Sequence, residues 1–320
     1  MTALTDVARR AGVSPATASR VLSGSGPASA DARARVRSAA DALGYRTHPV
    51  ARMFARGRGT RIVLAIRDAN RSILSDPFVS RAAAAVAEVA DTAGLGVALR
   101  RLPLDCETDL AELAADRSVA AVLLAGHDHR LPARLPRALH GRSATIGAAG
   151  ADVDSGAGIG ALLRHLHATG RRRIAMVAGP RWVAAARTPL DAYATFVADA
   201  GLPVRTVAGD FTTARGRVAA RRILRTWPDT DAIVAVSDAT ALGVLDALSA
   251  LGVRVPGDVA VTGFDDSPLA AAARLTSATH PVERIAAYAA DAALRGGEAR
   301  RLFPSRPKLR ASCGGTDSTA

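Results

Sequence analysis

Seven histidines, two cysteines and one pair of adjacent carboxylates are the residues of this 320-residue chain whose types could carry bond-making chemistry. Their spacing gives little support to it. His127, His129, His165, His167 and His280 make no metal pattern together, and His165-Leu166-His167 would put its two imidazoles on different faces of a helix. Cys106 and Cys313 fit no metal spacing and read as reduced thiols of a cytosolic protein. Asp265-Asp266 are paired carboxylates, but no Gly-rich phosphate loop and no Gly-x-Ser-x-Gly elbow accompanies them. The stronger signal is charge. The first sixty residues hold ten arginines against three aspartates, about half of a net charge of +13 in under a fifth of the length. That asymmetry suggests a polyanion partner, usually nucleic acid. Only one lysine, Lys308, occurs, so an Arg-biased composition inflates the total without explaining the scarcity of acid before residue 60.

The elements that must position those arginines are short helices. Leu4, Val7, Ala8 and Ala11 recur at helical spacing, and Gly12 ends the run. Ser14 reads as an N-cap, with Pro15 at the first helical position, where its missing N–H costs nothing. This second helix, about 15–22, should bury Ala18, Val21 and Leu22. A third should start at the cap Ser29, bury Val36, Ala40 and Leu43, and end at Gly44. Two short helices joined by a Gly-containing turn, braced by a third, make a helix-turn-helix.

Residue identity goes further. The run Asp6-Val7-Ala8-Arg9-Arg10-Ala11-Gly12-Val13-Ser14-Pro15-Ala16-Thr17-Ala18-Ser19-Arg20-Val21-Leu22, followed by Leu43-Gly44-Tyr45 and Ala51-Arg52, resembles the headpiece of the LacI/GalR family. The resemblance implies that the second helix enters the major groove, with Pro15, Ala16 and Arg20 over base edges. Pro15 and Ala16 offer only apolar contact, whereas Arg20 can reach a guanine O6 and N7. Ser14, Thr17 and Ser19 would bind phosphates. It also implies that a segment around 47–55 forms a hinge helix on operator DNA, with Phe54 wedged into a minor-groove base step and Arg52 near phosphates. The family usually has Leu at the wedge position.

From residue 61 onward, β-rich runs at 62–66, 96–101, 119–125, 144–147, 174–178, 232–236 and 259–263 alternate with helical stretches such as 78–93, 158–168 and 239–251. That alternation predicts parallel sheets covered by helices. Gly170-Arg171-Arg172-Arg173-Ile174-Ala175, Gly209-Asp210-Phe211, Val236-Ser237-Asp238, Val255-Pro256-Gly257-Asp258-Val259 and Gly263-Phe264-Asp265-Asp266 continue the family likeness. It implies a small all-α helix-turn-helix headpiece (1–46), a hinge (47–60), and an α/β two-lobed, type I periplasmic-binding-protein-like domain (61–320). The first lobe should hold about 61–151 plus a late helix near 282–302, and the second about 152–281.

By the same likeness, effector-binding positions fall on Phe78, Arg187, Phe211, Ser237, Asp238, Asp265 and His280. Two departures stand out. The position of the family's frequent ligand-anchoring Arg holds Pro189, with Arg187 two residues away, and the usual Asp near Gly147 is absent. The pocket is therefore expected to be short of fixed polar partners, with an effector less polar than a typical sugar or a weakened effector control. The resulting expectation is a dimeric, cytoplasmic repressor and not an enzyme, binding a pseudo-palindromic operator under control of a small molecule such as a sugar, with no cofactor, no metal and no membrane partner. A regulator with a vestigial pocket stands as the alternative. A solute-binding protein has the same fold, and the lack of a signal-like N-terminus and the intact headpiece argue against it.

Overall fold

The computed structural model describes residues 3–23, 26–45, 59–297 and 299–314. The N-terminal part is three helices, α1 (Leu4–Ala11), α2 (Pro15–Ser23) and α3 (Ala30–Ala42). Each boundary has a local cause. Asp6 reaches back to the Ala3 N–H at 3.0 Å, and Gly12, at φ +62°, closes α1 in the left-handed conformation that glycine adopts without strain. Ser14 Oγ accepts the Thr17 N–H at 3.1 Å to start α2, and Ser29 Oγ accepts that of Ala32 at 3.2 Å to start α3. The three helices share a core of Val7, Ala8, Ala11, Ala18, Val36, Ala39 and Ala40.

From residue 61 on, the described residues form two six-stranded sheets, each covered by helices. The first contains β1 (Arg61–Arg67), β2 (Gly96–Leu102), β3 (Val119–Ala125), β4 (Ser143–Ile146), β5 (Ala151–Val153) and β11 (Arg301–Phe303), in the order β11-β5-β4-β3-β1-β2, all parallel. The second contains β6 (Ile174–Ala178), β7 (Thr206–Ala208), β8 (Ala232–Ala235), β9 (Ala260–Asp265), β10 (Thr276–Thr279) and β12 (Pro307–Lys308), in the order β12-β10-β9-β8-β6-β7. Only β12 runs antiparallel to its neighbour. The central strands are apolar on both faces, as sheets sandwiched between helices require.

Helix α4 (Pro77–Thr92) follows β1, α5 (Glu107–Ala115) follows β2, and α6 (Ser155–Ala168) carries the chain into the second lobe. There α7 (Arg187–Asp199), α8 (Thr213–Thr226), α9 (Asp238–Ala250) and the short α10 (Pro268–Ala272) connect successive strands. Helix α11 (Val282–Arg295) then returns to the first lobe and packs on α4. The chain crosses between lobes three times, after β5, after β10 and after β11. This differs from the expected division in two places. Asp152 and Val153 belong to the first sheet, and residues 307–308 rejoin the second. No helix among the described residues is long and apolar enough to cross a membrane.

Candidate functional site

On α2 the face away from the headpiece core exposes Ser14, Pro15, Ala16 and Arg20, while Ala18 is buried and Val21 and Leu22 pack inward. Thr17 and Ser19 are half-buried. The hydroxyls of Ser14 and Thr17 lie 2.9 Å apart, so both already serve the start of the helix. Arg20 folds back along its own turn, donating from Nε to the Ala16 carbonyl at 3.2 Å and from Nη2 to Thr17 Oγ1 at 3.4 Å. The arrangement is an exposed helix start with aligned N–H groups, two small apolar side chains and one guanidinium. It can meet an anion at the helix terminus and a base edge beside it. Arg9, Arg10, Arg33, Arg35 and Arg37 are exposed around it. Arg52 and Phe54 lie outside the described residues.

A cavity of about 280 Å³ sits between the two lobes. It opens at the carboxyl ends of the central strands, where the chain in open α/β sheets leaves a crevice for ligands. Phe78 at the start of α4, Phe211 before α8, Phe264 and Asp265 at the end of β9, Ser237 and Asp238 at the start of α9, and His280 on a crossover all line it. Six of the seven residues named from the sequence thus converge. Arg187 does not reach it. Its side chain is 72% exposed and pairs with Asp191 one turn on, at 3.6 Å. The reason is helical geometry. Arg187 opens α7, and two residues on, at ~100° per residue, Pro189 points the opposite way and is the one that lines the cavity.

The roof of the site is strained. Phe211, Asp265 and Asp266 have φ of +68°, +117° and +48°, values that non-glycine residues adopt at a cost of order 1–3 kcal/mol each. Asp266 is held by Arg310 at 2.6 Å, and Asp265 faces His280 Nδ1 at 3.0 Å. The His280 ring stands 5.6 Å from Phe78 and 5.8 Å from Phe264. Asp238 ties the roof together. It accepts the Ser267 N–H at 2.7 Å and the Ser277 hydroxyl at 2.6 Å. Burial, with repulsion from Asp265, pushes its carboxyl up to about 7. A Cβ at Gly263 would lie 2.3 Å from Asp238 Oδ1, so only glycine lets strand β9 pass this close to the start of α9.

The cavity is richer in fixed polar groups than the sequence suggests. Asp68, Asp76 and Asp152 line it, with Arg67, Arg81, Ser155 and Thr213. Burial raises the carboxyls of Asp68, Asp76 and Asp152; Asp265 and Asp68 add repulsion at Asp76, and Asp210 adds it at Asp68. These residues carry one legible signal, that polar side chains just past the carboxyl end of a parallel strand face the crevice. Asp152 stands close to the place where the Asp near Gly147 is missed, five residues further along. The lobes also touch directly: Arg67 Nη1 donates to the Trp182 carbonyl at 3.4 Å, and the Ala184 N–H to the His127 carbonyl at 3.0 Å. Among the described residues no cluster of His, Cys, Asp and Glu is arranged to hold a metal ion. His165 meets Cys313 Sγ at 3.3 Å and His167 meets the Phe196 ring at 5.8 Å, so the two imidazoles do face different neighbours.

Comparison with known proteins bears on both sites. Residues 3–48 match the family described as bacterial regulatory proteins, lacI family, and residues 163–313 match the periplasmic binding protein-like domain. The chain is 33% identical to the HTH-type transcriptional regulator CelR of Thermobifida fusca, over 94% of this chain and 90% of that one. It is 30% identical to the ribose operon repressor of Halalkalibacterium halodurans, over 84% and 82%. Among solved structures, a CelR–cellobiose complex superposes with a TM-score of 0.69 at 29% identity, covering 98% of this chain and all of that one. The lac repressor dimer bound to operator and the anti-inducer ONPF superposes at 0.80, with 23% identity over 98% and 99%, a likeness of fold.

Proposed function

The chain belongs to the LacI family of bacterial regulatory proteins, and from that membership we propose that it is a dimeric, cytoplasmic transcriptional repressor without enzymatic activity. The observation that carries this reading is the presence in one chain of a capped, exposed helix in a helix-turn-helix and a cleft between two lobes. In this reading residues 1–46 form the headpiece, 47–60 the hinge and 61–320 the effector-binding and dimerisation unit. Helix α2 reads each half of a pseudo-palindromic operator, with Pro15, Ala16 and Arg20 at base edges and Ser14, Thr17 and Ser19 at the backbone. Arg52 and Phe54 are assigned to the hinge's minor-groove contact by family likeness alone.

A small molecule in the cleft would act through lobe closure. Phe78, Asp76 and Asp152 come from the first sheet's side and Phe211, Ser237 and Asp265 from the second's, so a ligand touching both favours the closed pair. It can shift DNA affinity only by its differential affinity for the two arrangements, typically about 1–3 kcal/mol. The relatives named above suggest a carbohydrate or carbohydrate-like effector.

Operator selection from random duplexes with purified protein, with and without a panel of small metabolites, tests this. A pseudo-palindrome whose enrichment changes with one compound is the expected result. Arg20→Ala should then relax specificity at one position of each half-site, at a cost of about 1–3 kcal/mol. Absence of any enriched sequence would overturn the regulator reading. A palindrome indifferent to every compound would instead mark a pocket that no longer controls DNA binding.

A further inference from the structure

The hydrogen-bonding groups of the cleft do not balance. Asp68, Asp76 and Asp152 each use Oδ1 to accept a nearby backbone N–H, from Asn70, Phe78 and Val153, at 2.6, 2.8 and 2.8 Å. Asp265 uses its Oδ1 on His280. In all four, Oδ2 has no hydrogen-bond partner among the described residues. A carboxylate anchored through one oxygen is fixed in direction, so the other oxygen is a preset acceptor.

The two arginines that line the cleft make their hydrogen bonds to other groups. Arg67 donates from Nε to the Leu104 carbonyl, from Nη1 to that of Trp182 and from Nη2 to Asp128. Arg81 gives Nε and Nη2 to Glu283, Nη1 to the Asp265 carbonyl, and Nη2 also to the His280 carbonyl. Each guanidinium thus makes its ion pair with a carboxylate outside the group of four, Asp128 and Glu283, while His280 stands 3.0 Å from Asp265. Three aromatic rings, of Phe78, Phe211 and Phe264, stand in the apolar wall beside aliphatic side chains such as Ile66, Ile146 and Leu242. Aromatic faces attract cations. The volume, about 280 Å³, falls just below the usual span of ligand sites, roughly 300 to 1,000 Å³, and so suits a compact ligand.

We propose that the ligand of this cleft is a compact cation, a protonated amine on a ring-sized scaffold, whose three ammonium N–H groups are received among the Oδ2 atoms of Asp68, Asp76, Asp152 and Asp265, beside the phenylalanine rings. The proposal rests on the reading of this cleft as the effector site. An ammonium brings three donors and no acceptor, which complements a set of free carboxylate oxygens. A neutral polyol brings an acceptor with every donor, so it matches a row of free acceptor oxygens less fully. Burial already holds the carboxyls of Asp68, Asp76 and Asp152 above their ordinary range, and a bound cation would relieve that.

The test is calorimetric titration of the full-length, DNA-free protein at neutral pH with matched pairs: glucosamine against glucose, galactosamine against galactose, and cyclohexylamine against cyclohexanol. In at least one pair the amine should bind about tenfold more tightly or better, as a charge-assisted contact warrants. Asp76→Asn and Asp265→Asn should each erase that preference. Asn at 76 still caps α4 through its carbonyl oxygen, so an unchanged melting curve separates lost charge from lost fold. Equal or tighter binding of the neutral member in every pair overturns the proposal, as does failure of every amine to bind. Release of a selected operator by a neutral sugar alone would end this proposal and leave the regulator reading standing. Amine preference in a protein that selects no operator would do the reverse.

Discussion

The headpiece and the cleft bind through opposite arrangements of charge. The headpiece core is built of small side chains, five of its seven buried members being alanine, and its arginines stay in water. Its polar side chains do short-range work: Ser14 and Ser29 cap helices within three residues of themselves. Charge presented this way loses little hydration, and exposed pairs such as Arg9–Asp6 at 3.4 Å are worth at most about 1 kcal/mol. The cleft instead buries carboxylates, strains three backbone positions and assembles its walls from segments two hundred residues apart. A surface like the first suits a long polyanion that brings its own counterions. A pocket like the second suits a small molecule that must be gripped on several sides.

Four experiments would break or sharpen that contrast. The largest effect should come from Gly263→Ala, which drives a methyl into Asp238 and should cost about 3 kcal/mol in the two-lobed unit. Differential scanning calorimetry should show that loss with the headpiece transition unmoved; a silent substitution would mean that the Asp238 tie is slack. Next, Val36→Ala removes two buried methyl groups from the small headpiece core and should cost about 2 kcal/mol there. Operator affinity should fall on warming while ligand titration of the cleft stays as it was. Coupled loss of both would deny the separation between the regions.

The third concerns pH. Asp238 has its folded value raised from 3.8 to about 7 by burial first and Asp265 second. A raised carboxyl contributes stability that is full below the unfolded value and lost as pH rises through the folded one. The melting gap between the wild type and Asp238→Asn should therefore narrow from about pH 5 to about pH 8, by on the order of 2 kcal/mol. A gap constant across that window would mean that Asp238 is ionised throughout. The smallest effect belongs to Arg187→Ala. An exposed arginine paired within its own helix should change both stability and ligand affinity by no more than about 0.5 kcal/mol. A large loss of ligand affinity would return Arg187 to the site.

The errors of the sequence reading have physical causes. Pro189 stands at the anchoring position and does line the cavity; Arg187 is two residues away in sequence, close enough to suggest the same role, yet on a helix the two face apart. The expected poverty of polar groups came from aligning single positions. Asp68 and Asp76 flank a turn of 3-10 helix, Ile73–Ser75, that follows β1, and Asp152 lies in a three-residue strand, so neither apolar periodicity nor a motif marks them.

The sequence alone determined the headpiece helices, their caps and turn, and the central strands. Those features depend on contacts within four residues or on runs of apolar side chains that any burial would select. Tertiary structure decided the rest. Strands β5, β10, β11 and β12 are two to four residues long and rich in Asp, Ser, Thr and Arg, and they are strands because a neighbouring edge supplies their hydrogen bonds. The three crossings between lobes set which carboxylates face one another. Arg67 and Arg81 turn from surface cations into committed partners only when carbonyls from distant loops arrive around them. Charge balance in a cleft is a sum over all its walls, and no local stretch of the chain contains more than one of them.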